Sequence, residues 1–399
     1  MEVINTLSKG KKEHISNYLP KGYYTCSKNV GIKDETLDFS VILSAVPASA
    51  AAMFTQNQFC GAPIPVGREN IANGQLRCFA INSKNANVAT GEEGIENVRE
   101  IIYLIGEELN IPPEDILPSS TGIIGKPLPM DKIRQGIKGL KDQLVEGGFE
   151  KAAEAIMTTD THPKIRACKI GEATLVGIAK GSGMIEPNMA TLLSYFVTDA
   201  QIPSSILQTI FNESVNKSFN MVSIDTDTST SDTVAIMANG LAGEVNIEDF
   251  KKALNKMSIE LAKEVARDGE GATKLIEVIV ENALHFEHAK KAAKSIVNSP
   301  LVKSAIFGAD PNWGRVVMAV GKCDKEIEVS PELIAISFGS IPVYDGKPLD
   351  NVDLTEVKNY LQGDEIMIKV SLNLGKESAT VWGCDLSYDY VRINGEYTS

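Results

Sequence analysis

The segment from Ala179 to Ala200, AKGSGMIEPNMATLLSYFVTDA, is the densest unusual stretch of the chain. A strand-like run over Thr174–Ala179 feeds a flexible Gly181-Ser182-Gly183 hinge. A polar turn with Pro187 and Asn188 follows, and Met189-Ala190-Thr191 leads directly into a second apolar run, Leu192 to Val197. Two readings fit. In one, Thr191 is an ordinary β-branched residue opening a strand after a loop. In the other, it is a buried nucleophile at the start of that strand. A threonine hydroxyl is inert at neutral pH unless a base sits beside it, and the chain has only four histidines, His14, His162, His285 and His288. One solution is the threonine's own α-amine, whose ordinary pKa of about 7.7 to 8.0 lies near working pH. That amine exists only if the bond between Ala190 and Thr191 has been cut.

Other chemistries find less support. There is no GxxxxGK[ST] phosphate loop, no HExxH and no GxSxG elbow. Gly181-Ser182-Gly183 meets only the first half of a GxGxxG dinucleotide fingerprint, because Asn188 and Met189 stand where a helix-packing glycine belongs. No residue is assigned as a metal ligand. The strongest rival is Met221 to Thr228, an apolar strand followed by DxDxT; in haloacid-dehalogenase-type phosphatases that pattern supplies an aspartyl nucleophile, a second acid and a Mg²⁺ site. Here Asp225 and Asp227 lie mid-chain with no acidic pair at a convincing distance beyond, and a role in turns and caps accounts for them more simply. Metal-dependent phosphatase activity that survives Thr191→Ala but not Asp225→Asn would favour the rival.

Acyl transfer also needs donors aimed at the oxyanion of a tetrahedral intermediate, worth roughly 3 to 4 kcal/mol each. Thr121-Gly122, within SSTGIIG, is a candidate pair: glycine lets the backbone approach closely and the threonine hydroxyl is a second donor. A plain turn is the alternative.

The motif KGSGMIEPNMAT closely resembles the signature of the ornithine acetyltransferases, also called glutamate N-acetyltransferases, of arginine biosynthesis. The resemblance runs through the chain in SSTGIIG (Ser119 to Gly125), MTTDT (Met157 to Thr161), DTSTSDT (Asp227 to Thr233), DGEGATK (Asp268 to Lys274), GADPNWGR (Gly308 to Arg315) and the terminal NGEYTS (Asn394 to Ser399). It implies self-cleavage between Ala190 and Thr191 into an α chain, 1–190, and a β chain, 191–399, with a C-terminal α/β lobe from about 300 to 399. It implies a layered α-β-β-α sandwich, Thr121 and Gly122 as the oxyanion hole, and substrate contacts from Thr158, Lys180, Thr191, Glu270, Asn394 and Ser399. Many relatives end in Thr where this chain has Ser399, and both supply a hydroxyl. The implied reaction moves acetyl from N2-acetylornithine to L-glutamate through acetyl-Thr191, with no metal or redox cofactor. Some members also take acetyl from acetyl-CoA, and relatives assemble as α2β2 heterotetramers. An N-terminal-nucleophile aminopeptidase of related fold is the alternative within this chemistry, and a non-catalytic binding protein of the same fold is the alternative outside it.

The scaffold that must position these residues is legible in outline. The 399 residues are 43% hydrophobic and 23% charged, ordinary globular usage. The net charge of −13 disfavours nucleic acid or an anionic membrane as the main partner. Six scattered cysteines with no CxxC suit a reducing cytosol, and the N-terminus shows no apolar run of a signal peptide. Val41 to Phe54 is too short and interrupted to span a bilayer. Helical periodicity is predicted over Gly91–Leu109, Pro129–Leu144, Glu248–Arg267 and Ala283–Val297. Strands are expected over 78–82, 173–179, 193–197, 233–237 and 275–280. The runs Glu365–Leu374 and Ala379–Ile393 read as an antiparallel hairpin joined around Gly375. The fold class is α/β or α+β with mixed sheets.

Overall fold

The computed structural model describes residues 4–5, 17–186, 192–323 and 327–396. Among the described residues the strands form a ten-stranded mixed sheet and a five-stranded mixed sheet. The larger one folds over so that two of its portions stack face to face.

Side-chain alternation accounts for the layering. In the Gln75–Asn82 strand, Cys78 and Ala80 face an outer helical layer, whereas Phe79 and Ile81 face inward. In the Leu193–Gln201 strand, Tyr195 and Val197 face inward and Phe196 faces the opposite helices. A strand buried on both faces carries apolar residues in succession, as 78–81 and 195–197 do. The inward sets meet, with the Phe79 and Tyr195 ring centroids 5.1 Å apart. Helices Gly91–Leu109 and Met130–Ile137 cover one outer face, and Ser204–Asn216 and Ile247–Arg267 cover the other. The order is therefore α-β-β-α, as the sequence resemblance implied.

One long strand, Phe39–Phe54, joins the two β layers. Its first half pairs with Tyr23–Lys28 and its second half with Thr233–Glu244. Its register against Gln75–Asn82 shifts between Leu43 and Ala48, and Pro47 sits at that break, where no ladder N–H is required.

The small sheet runs in the order Ile341–Asp345, Ala335–Phe338, Glu365–Ser371, Leu275–Ala283, Glu377–Cys384. The expected hairpin is thus corrected: Leu275–Ala283 inserts between its two strands, parallel to one and antiparallel to the other. That strand alternates Ile276, Val278 and Val280 into the core, which makes it a central strand instead of an edge. It also precedes the expected start of the lobe near residue 300. Two further expectations are corrected. The helix expected over Pro129–Leu144 stops at Ile137, before Gly139 in the left-handed region (φ 67°). The strand-like run expected to reach Ile393 ends at Cys384, and Tyr388–Glu396 is helical. No helix among the described residues is long and apolar enough to cross a membrane.

Candidate active site

The Ile116–Ser120 strand delivers Thr121 and Gly122 to the end of one β layer, and the Ala173–Lys180 strand delivers Lys180 and Gly181 to the end of the other. Between them lies a small pocket lined by Thr121, Lys180, Gly181, Gly183, Leu192 and Ser231, among others. Thr121 and Lys180 are buried. Thr121 N–H donates to Asn82 O at 3.1 Å and Ile123 N–H to Lys84 O at 2.9 Å, which locks the turn. Gly122 between them has φ 129°, and a Cβ there would lie 2.2 Å from the Lys84 carbonyl carbon. Only glycine fits such a position. Among the described residues no acceptor takes the Gly122 N–H.

Asp160 gathers the Lys180 end of the pocket. Its Oδ1 accepts from Gly181 N–H at 2.6 Å and from Lys164 Nζ at 2.7 Å, and its Oδ2 from Thr158 N–H at 3.0 Å. Lys164 Nζ also donates to Asp268 Oδ2 at 2.5 Å, and this ammonium and both carboxylates are almost wholly buried. Burial alone would raise the Asp160 pKa, but Lys164 and Lys180 hold it well below the ordinary carboxylate range. Burial likewise acts to lower the Lys164 pKa, and Asp160 and Asp268 outweigh it, so that its ammonium is held above the usual lysine value. For Lys180 burial prevails and pushes the pKa down, against Asp160, Asp232 and Glu270. A cation with neighbouring hydroxyls, amides and glycines is suited to hold a carboxylate.

Glu270 completes the constellation. Its N–H donates to Ser182 O at 2.8 Å, and Ser182 Oγ donates to Asp268 O at 2.6 Å, so DGEGATK and KGSG are laced together. A Cβ on Gly183 would lie 2.4 Å from the Glu270 carboxyl carbon, so this glycine makes room for the acid. Asn394 Nδ2 donates to Glu270 Oε2 at 2.8 Å from the Tyr388–Glu396 helix. The C-terminal motif therefore reaches the site. A wider, more open cleft lined by Lys33 and Lys84, among others, contains the half-buried Thr158.

Asp225, the candidate phosphatase nucleophile, has a different employment. Its two carboxylate oxygens accept from the consecutive backbone N–H groups of Met184 and Ile185, both at 2.7 Å. Met184 is a non-glycine residue at φ 55°, and this bidentate clamp stabilises it there. Among the described residues no group of three or more His, Cys, Asp or Glu is placed to hold a metal ion.

The sequence model of the ArgJ family matches residues 25–399. The chain belongs to the ArgJ family. The arginine biosynthesis bifunctional protein ArgJ 2 of Clostridium acetobutylicum is 53% identical over 385 residues, covering 96% of this chain and 99% of that protein. The glutamate N-acetyltransferase Oat2 of Streptomyces clavuligerus is 47% identical, covering 95% of this chain and 98% of that protein. Among solved structures, the arginine biosynthesis bifunctional protein argJ of Bacillus halodurans is 44% identical with a TM-score of 0.48, and covers 50% of this chain and 96% of that one.

In this ArgJ-family chain, Thr121, Gly122, Lys180 and Glu270 converge around the hinge; Asn394 joins through Glu270 and Thr158 through Asp160. Ala190, Thr191 and Ser399 lie outside the described residues. Sequence reasoning missed Asp160, Lys164 and Asp268. The two aspartates stand inside quoted motifs, but nothing in their spacing indicates that Lys164, at the start of the Lys164–Ile170 strand, is buried between them.

Proposed function

We propose that this chain is a self-cleaving acyltransferase that moves the acetyl group of N2-acetylornithine to L-glutamate through acetyl-Thr191, as a step of arginine biosynthesis. The observation that carries this reading is the pocket in which Thr121 and Lys180 meet Leu192, the residue that follows Thr191 in the chain. In maturation, Thr191 Oγ attacks the Ala190 carbonyl, the acyl group passes from nitrogen to oxygen, and water hydrolyses the ester to leave fragments 1–190 and 191–399. In turnover, the freed α-amine takes the hydroxyl proton as Oγ attacks the acetyl carbonyl. Thr121 Oγ1–H and the Gly122 N–H hold the oxyanion. Ornithine departs as the tetrahedral intermediate collapses, and glutamate's amine then takes the acetyl group.

Lys180 receives a substrate carboxylate, while Glu270, oriented by Asn394, receives the ornithine side-chain ammonium. Thr158 and Ser399 complete the contacts. The reaction requires no resident cofactor; acetyl-CoA serves as a second acetyl donor, a use the word bifunctional in the relatives' names supports. We place the enzyme in the cytoplasm as an α2β2 assembly.

Thr191→Ala tests the reading. The variant should remain a single chain on a denaturing gel and lose acetyl transfer by at least about a thousandfold, the scale of losing a catalytic nucleophile. A Thr191→Ala variant with undiminished transfer would sink the proposal. Glutamate acetylation assayed with acetyl-CoA alone tests the second donor.

A further inference from the structure

Glu186 is the last described residue before the proposed cut and Leu192 the first after it. Both are held by one stretch of chain, 223–233. On the near side, Ile224 N–H donates to Ile185 O at 2.7 Å, Glu186 N–H donates to Asp227 O at 3.1 Å, and Thr228 Oγ1 donates to Glu186 O at 3.1 Å. On the far side, Thr233 N–H donates to Leu192 O at 3.0 Å. The stretch itself is anchored to the Thr55–Gly61 region: Thr55 Oγ1 donates to Ser229 O at 2.6 Å and Asn57 Nδ2 to Thr228 O at 2.8 Å. Glu186 and Leu192, on either side of the Ala190–Thr191 bond, therefore rest on a single template.

The Glu186 side chain adds a second tie, to a different part of the molecule. Its Oε2 accepts from Asn298 Nδ2 at 2.7 Å and from Ser223 Oγ at 3.2 Å, and Oε1 lies 3.9 Å from Lys294 Nζ. Asn298 caps the C-terminal end of the Phe286–Val297 helix, and Lys294 stands in its last turn. None of these side chains lines the pocket at Thr121 and Lys180.

We infer that Glu186, fastened to Asn298, Ser223 and Lys294, is a positioning residue for self-cleavage: it fixes the chain before the scissile bond, and mature turnover does not need it. This rests on the self-cleavage reading above. Peptide-bond attack by a neighbouring hydroxyl depends on holding the carbonyl in one orientation, and small misplacements slow such steps strongly. Turnover attacks a bound acetyl group instead, after the flank has been severed from Thr191.

The experiment follows full-length Glu186→Ala, Glu186→Gln and Asn298→Ala after synthesis. Precursor disappearance is timed on denaturing gels, and acetyl transfer is normalised to the cleaved fraction. Glu186→Ala should cleave at least about tenfold more slowly than the wild type, with Glu186→Gln partly rescued because the amide keeps an acceptor for Asn298. Transfer per cleaved molecule should stay within about twofold of wild type. Cleavage of Glu186→Ala at the wild-type rate, or cleavage and turnover lowered by the same factor, would overturn the inference. If Glu186→Ala does not accumulate folded, Asn298→Ala decides: cleavage about threefold slower or more supports the inference, and a wild-type rate overturns it. A wild-type chain that stays intact yet transfers acetyl overturns the cleavage reading as well, so the two failures are distinguishable.

Discussion

The two walls of the candidate site are built in opposite ways. The wall of Thr121, Gly122, Lys180 and Asp160 stands at strand ends, deep in the α-β-β-α stack, and each turn in it is fixed by several short hydrogen bonds. The wall that carries Asn394 is a surface helix, Tyr388–Glu396, with no buried residue, in which Tyr388 is 84% and Val391 68% exposed. Its side-chain links to the candidate site are the Asn394–Glu270 hydrogen bond and the hydrogen bond from Tyr390 OH to Asp225. The contrast assigns labour. Groups that must stabilise transient charge are rigid and desolvated, where fixed dipoles act most strongly. In the proposed reaction, Asn394 serves the variable end of the substrate from an exposed helix with no buried residue, the kind of element that opens locally most easily.

The contrast predicts a hierarchy. Lys164→Met removes the cation from between Asp160 and Asp268 and leaves two buried carboxylates facing each other, so it should cost about 3–5 kcal/mol of stability, read as a large fall in Tm. Loss of less than about 1 kcal/mol would show the buried wall to be softer than its contacts suggest. Gly122→Ala places a Cβ against the Lys84 carbonyl and should lower kcat by about a hundredfold or more, with substrate affinity changed much less. A normal kcat in this variant would move the oxyanion hole elsewhere.

On the exposed wall, Asn394→Ala should raise KM roughly three- to tenfold while Tm stays unchanged, the signature of a surface contact to a charged group. A fall in Tm comparable to that of Lys164→Met would erase the distinction between the walls. A pH-dependent effect concerns Lys294, a largely buried ammonium whose pKa burial lowers to about 8. An unfolded lysine titrates near ~10.4, so between about 8 and 10.4 the unfolded chain binds more protons and stability should rise with pH. Relative to Lys294→Met, the wild type should therefore gain stability across that window in denaturant titrations; a flat difference would mean that Lys294 is solvated.

Much of the scaffold was legible because strand alternation and helix periodicity write themselves into the sequence. Gly91–Leu109 is bounded as its apolar spacing indicates. The failures lie where tertiary context outranks local pattern. Glu365–Ser371 and Glu377–Cys384 look like a hairpin, but a strand from nearly 90 residues earlier separates them, a pairing that local alternation cannot specify. Val391 and Ile393 read as strand residues and fall in a helix. In the site, Thr121, Gly122, Lys180 and Glu270 could be named in advance only through the motifs that carry the family resemblance, because local pattern alone reads them as turn or surface residues. Asp160 and Lys164 form one unit with Asp268 only once two segments about a hundred residues apart fold together, whereas Asp225 fills the turn-holding role that its sequence context favoured over a phosphatase nucleophile.

The central claim is that the chain cuts itself before Thr191 and then carries acetyl on that residue. Intact mass spectrometry of the purified protein, before and after incubation with N2-acetylornithine in the absence of glutamate, tests both halves at once. The account predicts two fragments, 1–190 and 191–399, with the second gaining one acetyl group that maps to Thr191 and disappears when glutamate is added. An uncleaved chain that is fully active, or an acetyl group found on any residue other than Thr191, would contradict it.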